Sequence, residues 1–234
     1  TTNNRTKMSY FEDASVVYIP SAVKDGKTYS IKPTDGSGDF TFSRGSDIEA
    51  TRVAANGYIE KAKVNLLLQS NTYSTTWTAT SATITSGQAG YDGSNDAWLL
   101  EKFAATGRIN QSVSLSGVYS FSVYAKKGTL DGIRLRFDGT TIEGSVYFDL
   151  ANGTIGNNVS SIDAQIQSVG GGWYRCSLSQ NDTFTLVRIY PADASTLSSS
   201  TGTIYIQDAQ INYGLVAQEY QETTTTSVVT GITN

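Results

Sequence analysis

The stretch "SVGGGWYRCSLS", residues 168–179, gathers three glycines, Trp173, Tyr174, Arg175 and the chain's single cysteine, Cys176. Such a cluster suggests a thiol nucleophile, a phosphate cradle or a sugar-stacking platform. A cysteine nucleophile needs a neighbouring base, usually histidine, and the 234 residues contain no histidine. A backbone phosphate cradle needs its glycines to lead into a helix N-terminus. Here Gly170, Gly171 and Gly172 lead into an alternating, strand-like run. The spacing puts Tyr174, Cys176 and Leu178 on one face and Trp173 and Arg175 on the other. An indole beside a guanidinium can stack on a sugar's apolar face and hydrogen-bond its hydroxyls. The same pair also reads as a cap on a sheet edge. Tyr124 and Tyr147 fall on outward strand positions and extend the candidate glycan-binding set to Trp173, Arg175, Tyr124 and Tyr147.

A second group is acidic. "YDGSNDAW" offers Asp92, Asn95 and Asp96 in a glycine-containing turn, and "YIQDAQIN" offers Asp208 far along the chain. Hard oxygens from a loop and a distant strand are the ligands calcium takes, so a structural calcium is the one cofactor the sequence suggests. Turn-forming Asp and Asn explain the loop without a metal. Asp131, Asp138, Glu143 and Asp149 sit at hairpin ends, and nothing in their spacing singles out a pair for glycoside cleavage. No catalytic residue is assigned, and the chain is expected not to be an enzyme.

The positioning elements are strands. "VYSFSVYAKKG" sets Tyr119, Phe121, Val123 and Ala125 on one face, "GIRLRFDG" does so with Ile133, Leu135 and Phe137, and "GSVYFDLANG" with Val146, Phe148 and Leu150. "DFTFSR" alternates Phe40 and Phe42 in the same way. Each pattern predicts a strand with one wet side, and glycine, asparagine and aspartate clusters punctuate them every ten to fifteen residues or so, as in an antiparallel sandwich or barrel. The window "GYIEKAKVNLLLQS" is read as a connector. Residues 1–62 read as an N-terminal arm or small β region with short strands, residues 63–222 as the main domain, and the Thr-rich residues 223–234 as an extended tail that pairs with a partner. With a formal charge of -4 and no basic run, nucleic acid is not an expected partner. No apolar stretch reaches a membrane-spanning length and the start lacks a signal-peptide pattern, so the reading is of a soluble chain without membrane insertion.

In series, "DFTFSR", "TRVAANGYIE", "NLLLQS", "INQSVSLSGVYSFSVYAKKGTL", "VYFDLANGTIG", "VGGGWYRCSLS" and "IYIQDAQINYG" resemble structural proteins of tailed bacteriophages that carry a carbohydrate-binding-module-like jelly roll. The resemblance implies an all-β fold, an antiparallel jelly-roll β-sandwich preceded by the arm. It implies a non-enzymatic virion protein on the particle surface, as capsid decoration or as a head or tail fibre. Its partners would be other capsid or tail proteins, copies of itself as a homo-oligomer with a trimer favoured, and a host or environmental glycan. Similar jelly rolls often hold a structural calcium where first and last strands meet. Longer relatives insert a segment before "NLLL", whereas here Ile59 and Glu60 run through "KAKV" into Asn65, which favours a coat or fibre module. The alternative is a tail-fibre module that recognises host surface polysaccharide.

Overall fold

Alternating apolar residues build strands, and the described residues contain strands and turns but no helix. The structure is a computed structural model and describes residues 14–18, 23–24, 27–41, 51–53 and 59–230. The chain divides into two compact units, residues 1–62 with 229–234, and residues 63–228. In the first, β1 (Val23–Lys24), β2 (Lys27–Thr28) and β3 (Phe40–Thr41) form a small sheet, and β4 (Thr51–Val53) pairs with β5 (Ile59–Lys61). Phe40 is exposed, and Phe42 lies outside the described residues.

The larger unit is organised by two strands of 20 residues each, β10 (Arg108–Lys127) and β15 (Trp173–Ala192). They pair from Ile109↔Ile189 to Lys126↔Trp173, with a register shift between Ser112 and Leu115. Next to that shift, Gly117 adopts a φ of 120°, a backbone open to glycine. Bulges of this kind bend a strand, and the two halves of each long strand pair with different neighbours.

The first half of β15 pairs with β14 (Asp163–Gly170), and the second half of β10 with β16 (Gly202–Tyr213), which continues to β9 (Ala97–Lys102) and β8 (Ala82–Gln88). The second half of β15 pairs with β11 (Gly132–Gly139), followed by β12 (Glu143–Asp149) and β13 (Thr154–Val159), while the first half of β10 pairs with β7 (Thr78–Thr80). All these pairings are antiparallel. The result is an antiparallel jelly-roll β-sandwich with two layers joined through β10 and β15.

The inward faces follow the alternation. Phe121, Val123, Ala125, Cys176 and Leu178 meet Ile133, Leu135, Phe137, Val146 and Phe148, all fully buried. Phe121 and Phe137 touch across the sandwich at 5.8 Å, and Phe137 stacks on Phe184 at 4.4 Å. Each such side chain stabilises the fold by about 1.5–3 kcal/mol relative to exposure. The connector read at "VNLLLQS" supplies Val64 and Leu67 to the buried set, with β6 (Lys63–Asn65) at its start.

In the layer that contains β14, β16 and β9, the expectation of one wet side fails on β10, β15 and β16. Ser120, Ser122, Ser177, Ser179, Gln210 and Asn212 point away from the core and are nevertheless buried. The segment 215–224 lies over them as a strap. Ser179 Oγ donates to Leu215 O at 2.7 Å, and Asn212 donates to Val216 O at 2.8 Å and accepts from Gln218 N at 2.9 Å. Gln210 donates to Gln218 O and accepts from Gln221 N, at 2.9 and 2.8 Å. Buried polar groups are as a rule partnered, and here the strap backbone partners Ser179, Gln210 and Asn212, while the buried Ser120 hydroxyl has no partner. The expected tail begins inside this body: Thr223 is buried, donates its hydroxyl to Leu67 O at 2.6 Å, and Gln69 N donates to Thr224 O at 2.7 Å.

Candidate functional site

Gly170, Gly171 and Gly172 have φ values of 96°, 60° and 80° and form the turn between β14 and β15. The cysteine beyond them lies in the core, where burial pushes its thiol pKa well up, away from thiolate character. Trp173 requires correction. It is 3% exposed and offers no open indole face. The cause is the loop before β9: Tyr91 meets Trp173 edge-on at 6.4 Å and stacks flat on Tyr124 at 3.9 Å. Arg175 holds its guanidinium 5.4 Å over the Tyr124 ring, donates to Ser122 Oγ at 3.2 Å and also donates to Gln218 O of the strap. Trp173, Arg175 and Tyr124 therefore do cluster, but loop and strap of the same chain bury Trp173 and leave Arg175 and Tyr124 half-buried. Tyr91 sits where a sugar ring would stack, and as a loop residue it carries no periodic signal in the sequence.

Of the four calcium candidates, Asp92 and Asp96 meet around Ser94 and lie near Asp208, but side chains of the same chain occupy their oxygens. Gln207 Nε2 donates to Asp96 Oδ1 at 2.7 Å and to Asp92 Oδ1 at 3.3 Å, so a nitrogen donor takes the space between the two carboxylates. Asp92 also accepts from Ser94, and these bonds hold its pKa below the usual carboxylate range although burial opposes them. Asn95 is exposed, while Asp208 is buried and accepts from the Tyr91 hydroxyl at 2.9 Å. Among the described residues no group of three acidic, histidine or cysteine side chains could hold a metal ion, and calcium needs about six oxygens. The residues present do not fit the expected calcium.

Tyr147 belongs to a different surface, the outward face of the β13–β12–β11–β15–β10 layer. Register pairs Tyr147 with Arg134, and Arg134 with Tyr190. The Arg134 guanidinium lies 5.1 Å from the Tyr147 ring centre and 5.2 Å from that of Tyr190, and Arg108 lies 5.9 Å from Tyr190 on its other side. Arg108, Tyr190, Arg134 and Tyr147 thus form a row across four strands, cation alternating with ring. In the next row Arg188 stands opposite Asn110 and Arg136, and Arg136 opposite Ser145. Arg136 and Arg188 both pair with Asp138, and Arg136 also pairs with Glu143.

The four arginines and Tyr147 are half-buried, and Tyr190 is 3% exposed beneath its flanking guanidinia. Their hydrogen bonds, ion pairs and ring contacts stay within the face, apart from a bond from Arg108 to Thr106 O at 3.1 Å. Of the candidate glycan-binding residues only Tyr147 lies here. Arg108, Arg134, Arg136, Arg188 and Tyr190 were missed, although the alternation of "GIRLRFDG" already turned Arg134 and Arg136 outward. What the pattern lacked was the register that sets Tyr190 between two of the arginines.

No family model matches the sequence, and no curated protein does. Among solved structures, the chain is similar to the Clostridium thermocellum endo-1,4-β-D-xylanase 10B CBM22-1–GH10 modules complexed with xylohexaose, at 12% identity over 65% of this chain and 28% of that one, TM-score 0.39. It is similar to the CBM22-2 xylan-binding domain of Paenibacillus barcinonensis Xyn10C, at 9% identity over 65% and 99%, TM-score 0.39. It is also similar to the enzymatically active domain of tailspike protein 4 of bacteriophage CBA120, at 14% identity over 64% and 21%, TM-score 0.39. This chain thus spans under a third of the length of the xylanase and of the tailspike domain.

Proposed function

We propose that this chain is a non-enzymatic glycan-binding jelly roll that serves as a structural protein on the surface of a bacteriophage particle, as capsid decoration or fibre. The observation that carries the glycan reading is the row Arg108–Tyr190–Arg134–Tyr147, in which Tyr190 lies covered by its flanking guanidinia and the half-buried Arg108, Arg134 and Tyr147 present the outward face of one layer to a ligand. The Tyr147 ring and the guanidinium groups on one sheet face suit an extended sugar chain, with a sugar C–H face on the ring and hydroxyls on N–H donors. The non-enzymatic reading rests on the absence of histidine from the sequence and on Asp138 being fixed between Arg136 and Arg188. The virion setting is supported by the series of strand motifs resembling tailed-phage structural proteins, and the other virion proteins and the homo-oligomer belong to that setting.

A glycan array probed with the purified chain tests the binding. Binding that is lost in Tyr147→Ala and kept in Trp173→Phe supports this face. Binding to no glycan, or loss only on changing Trp173, overturns it. Labelling intact particles with antibody to the chain tests the virion setting, and particles free of label would remove it.

A further inference from the structure

We propose that the ligand of this face is an acidic glycan, one whose sugars carry carboxylates, and that Arg108 and Arg134 receive those groups. The inference rests on the glycan reading and adds the chemical class. The face carries four arginines, while its ion pairs use two carboxylates, Asp138 and Glu143. Both carboxylates serve Arg136 and Arg188. Arg108 and Arg134 have no carboxylate partner among the described residues, in a chain whose net charge is -4. Positive charge is thus left without a carboxylate partner beside the Tyr147 and Tyr190 rings.

The hydrogen-bond inventory points the same way. Arg134 spends one nitrogen on Ser145 Oγ at 3.1 Å, and Arg108 spends one on Thr106 O. The Nε atoms of Arg108, Arg134 and Arg188 are buried with no acceptor. These Nε atoms are out of a ligand's reach, as is that of Arg175 on the other layer, so the donors left for a ligand are terminal guanidinium nitrogens of Arg108 and Arg134. A planar carboxylate matches a guanidinium in two parallel bonds, and partial removal from water strengthens the attraction.

Spacing limits the ligand further. Arg108 lies on β10 and Arg134 on β11, the two neighbours of β15. At about 4.8 Å per strand they stand about 10 Å apart, so the ligand runs across the strands with acid groups that recur along it. Tyr147, beyond Arg134 on β12, then offers its ring to a following sugar. Two uncompensated charges are few for tracking a phosphate backbone, which favours a polyuronate over nucleic acid.

The experiment measures binding of the full chain to polygalacturonate, to the same polymer after carboxyl reduction, to dextran and to poly(dT). The expected result is binding to polygalacturonate that weakens at least tenfold on carboxyl reduction, falls at least tenfold in Arg108→Gln/Arg134→Gln, and weakens with added salt. Equal binding to the reduced polymer overturns the acidic assignment and leaves the glycan reading standing. Equal binding to poly(dT) also overturns it, in favour of a general polyanion surface. Binding to none of the polysaccharides removes both readings. Should the double variant melt before the parent, the parent's comparison of the two forms of one polymer decides by itself.

Discussion

The ring of Tyr91 lies flat on the ring of Tyr124, with centres 3.9 Å apart and planes 4° from parallel. This contact brings the loop before β9 onto the outer surface of its layer and closes the Trp173–Arg175 cluster. Tyr91→Ala is expected to lower stability by about 2 kcal/mol, between the cost of an exposed site and that of a fully buried aromatic. Tyr91→Phe keeps the stack, loses the bond to Asp208 and should cost less. Chemical denaturation of the three proteins ranks them, and an unchanged midpoint for Tyr91→Ala would show that the stack does not hold the loop.

Asn212 grips the strap at two points, donating to Val216 O and accepting from Gln218 N. Asn212→Ala leaves both strap groups without these partners; water can reach Val216, which is exposed, so the cost falls mainly on the half-buried Gln218 N–H, at about 1 kcal/mol. Hydrogen exchange is the sharper readout. The Gln218 amide should exchange faster in the variant than in the parent, while amides of β11 and β12 keep their protection. Equal protection of Gln218 in both proteins would contradict the strap's dependence on Asn212.

Several of these features differ in how far they could be read from the chain alone. Alternation in "VYSFSVYAKKG" and "GIRLRFDG" placed Phe121, Val123, Ile133 and Leu135 correctly in the core, because period two is set by local backbone geometry. It also separated Trp173 from Tyr174. It could not tell that the face holding Trp173 would be covered, because that depends on where residues 215–221 and Tyr91 return in space. Register was equally hidden: "GIRLRFDG" and "DTFTLVRIYPAD" each show outward arginines, yet only the pairing Arg134↔Tyr190 makes them one surface. Asp92 and Asp96 looked like metal ligands because a sequence lists oxygens and cannot show Gln207 placing its amide nitrogen between them.

Cys176 is fully buried, and burial alone raises its thiol pKa. Alkylating reagents attack the thiolate, so the native protein should resist modification at pH 8 and react fully once unfolded in guanidinium. Mass spectrometry of the intact chain follows the reaction. Rapid alkylation of the folded protein would contradict the placement of Cys176 between the layers.

Asp208 gives stability a pH dependence of unusual sign. Its carboxyl is buried, and burial raises the pKa from 3.8 to about 7; Asp96 and Asp92 push the same way, against the Tyr91 hydroxyl bond. The folded protein thus holds this proton more tightly than the unfolded chain, whose aspartates titrate near their ordinary value. The associated stability is fully present below about pH 4 and is lost as pH rises through about 7, at up to about 1.4 kcal/mol per pH unit. Asp182 and Asp193, whose pKa values are lowered to about 2, act in the opposite direction and over a more acidic range. Comparison with Asp208→Asn isolates the buried group. Between pH 4 and 8 the parent's urea midpoint should fall relative to that of the variant, and at pH 8 the variant should be the more stable of the two. A variant less stable than the parent at pH 8 would mean that the folded protein favours the charged carboxylate at this position, and the assignment of a buried, protonated Asp208 would be withdrawn.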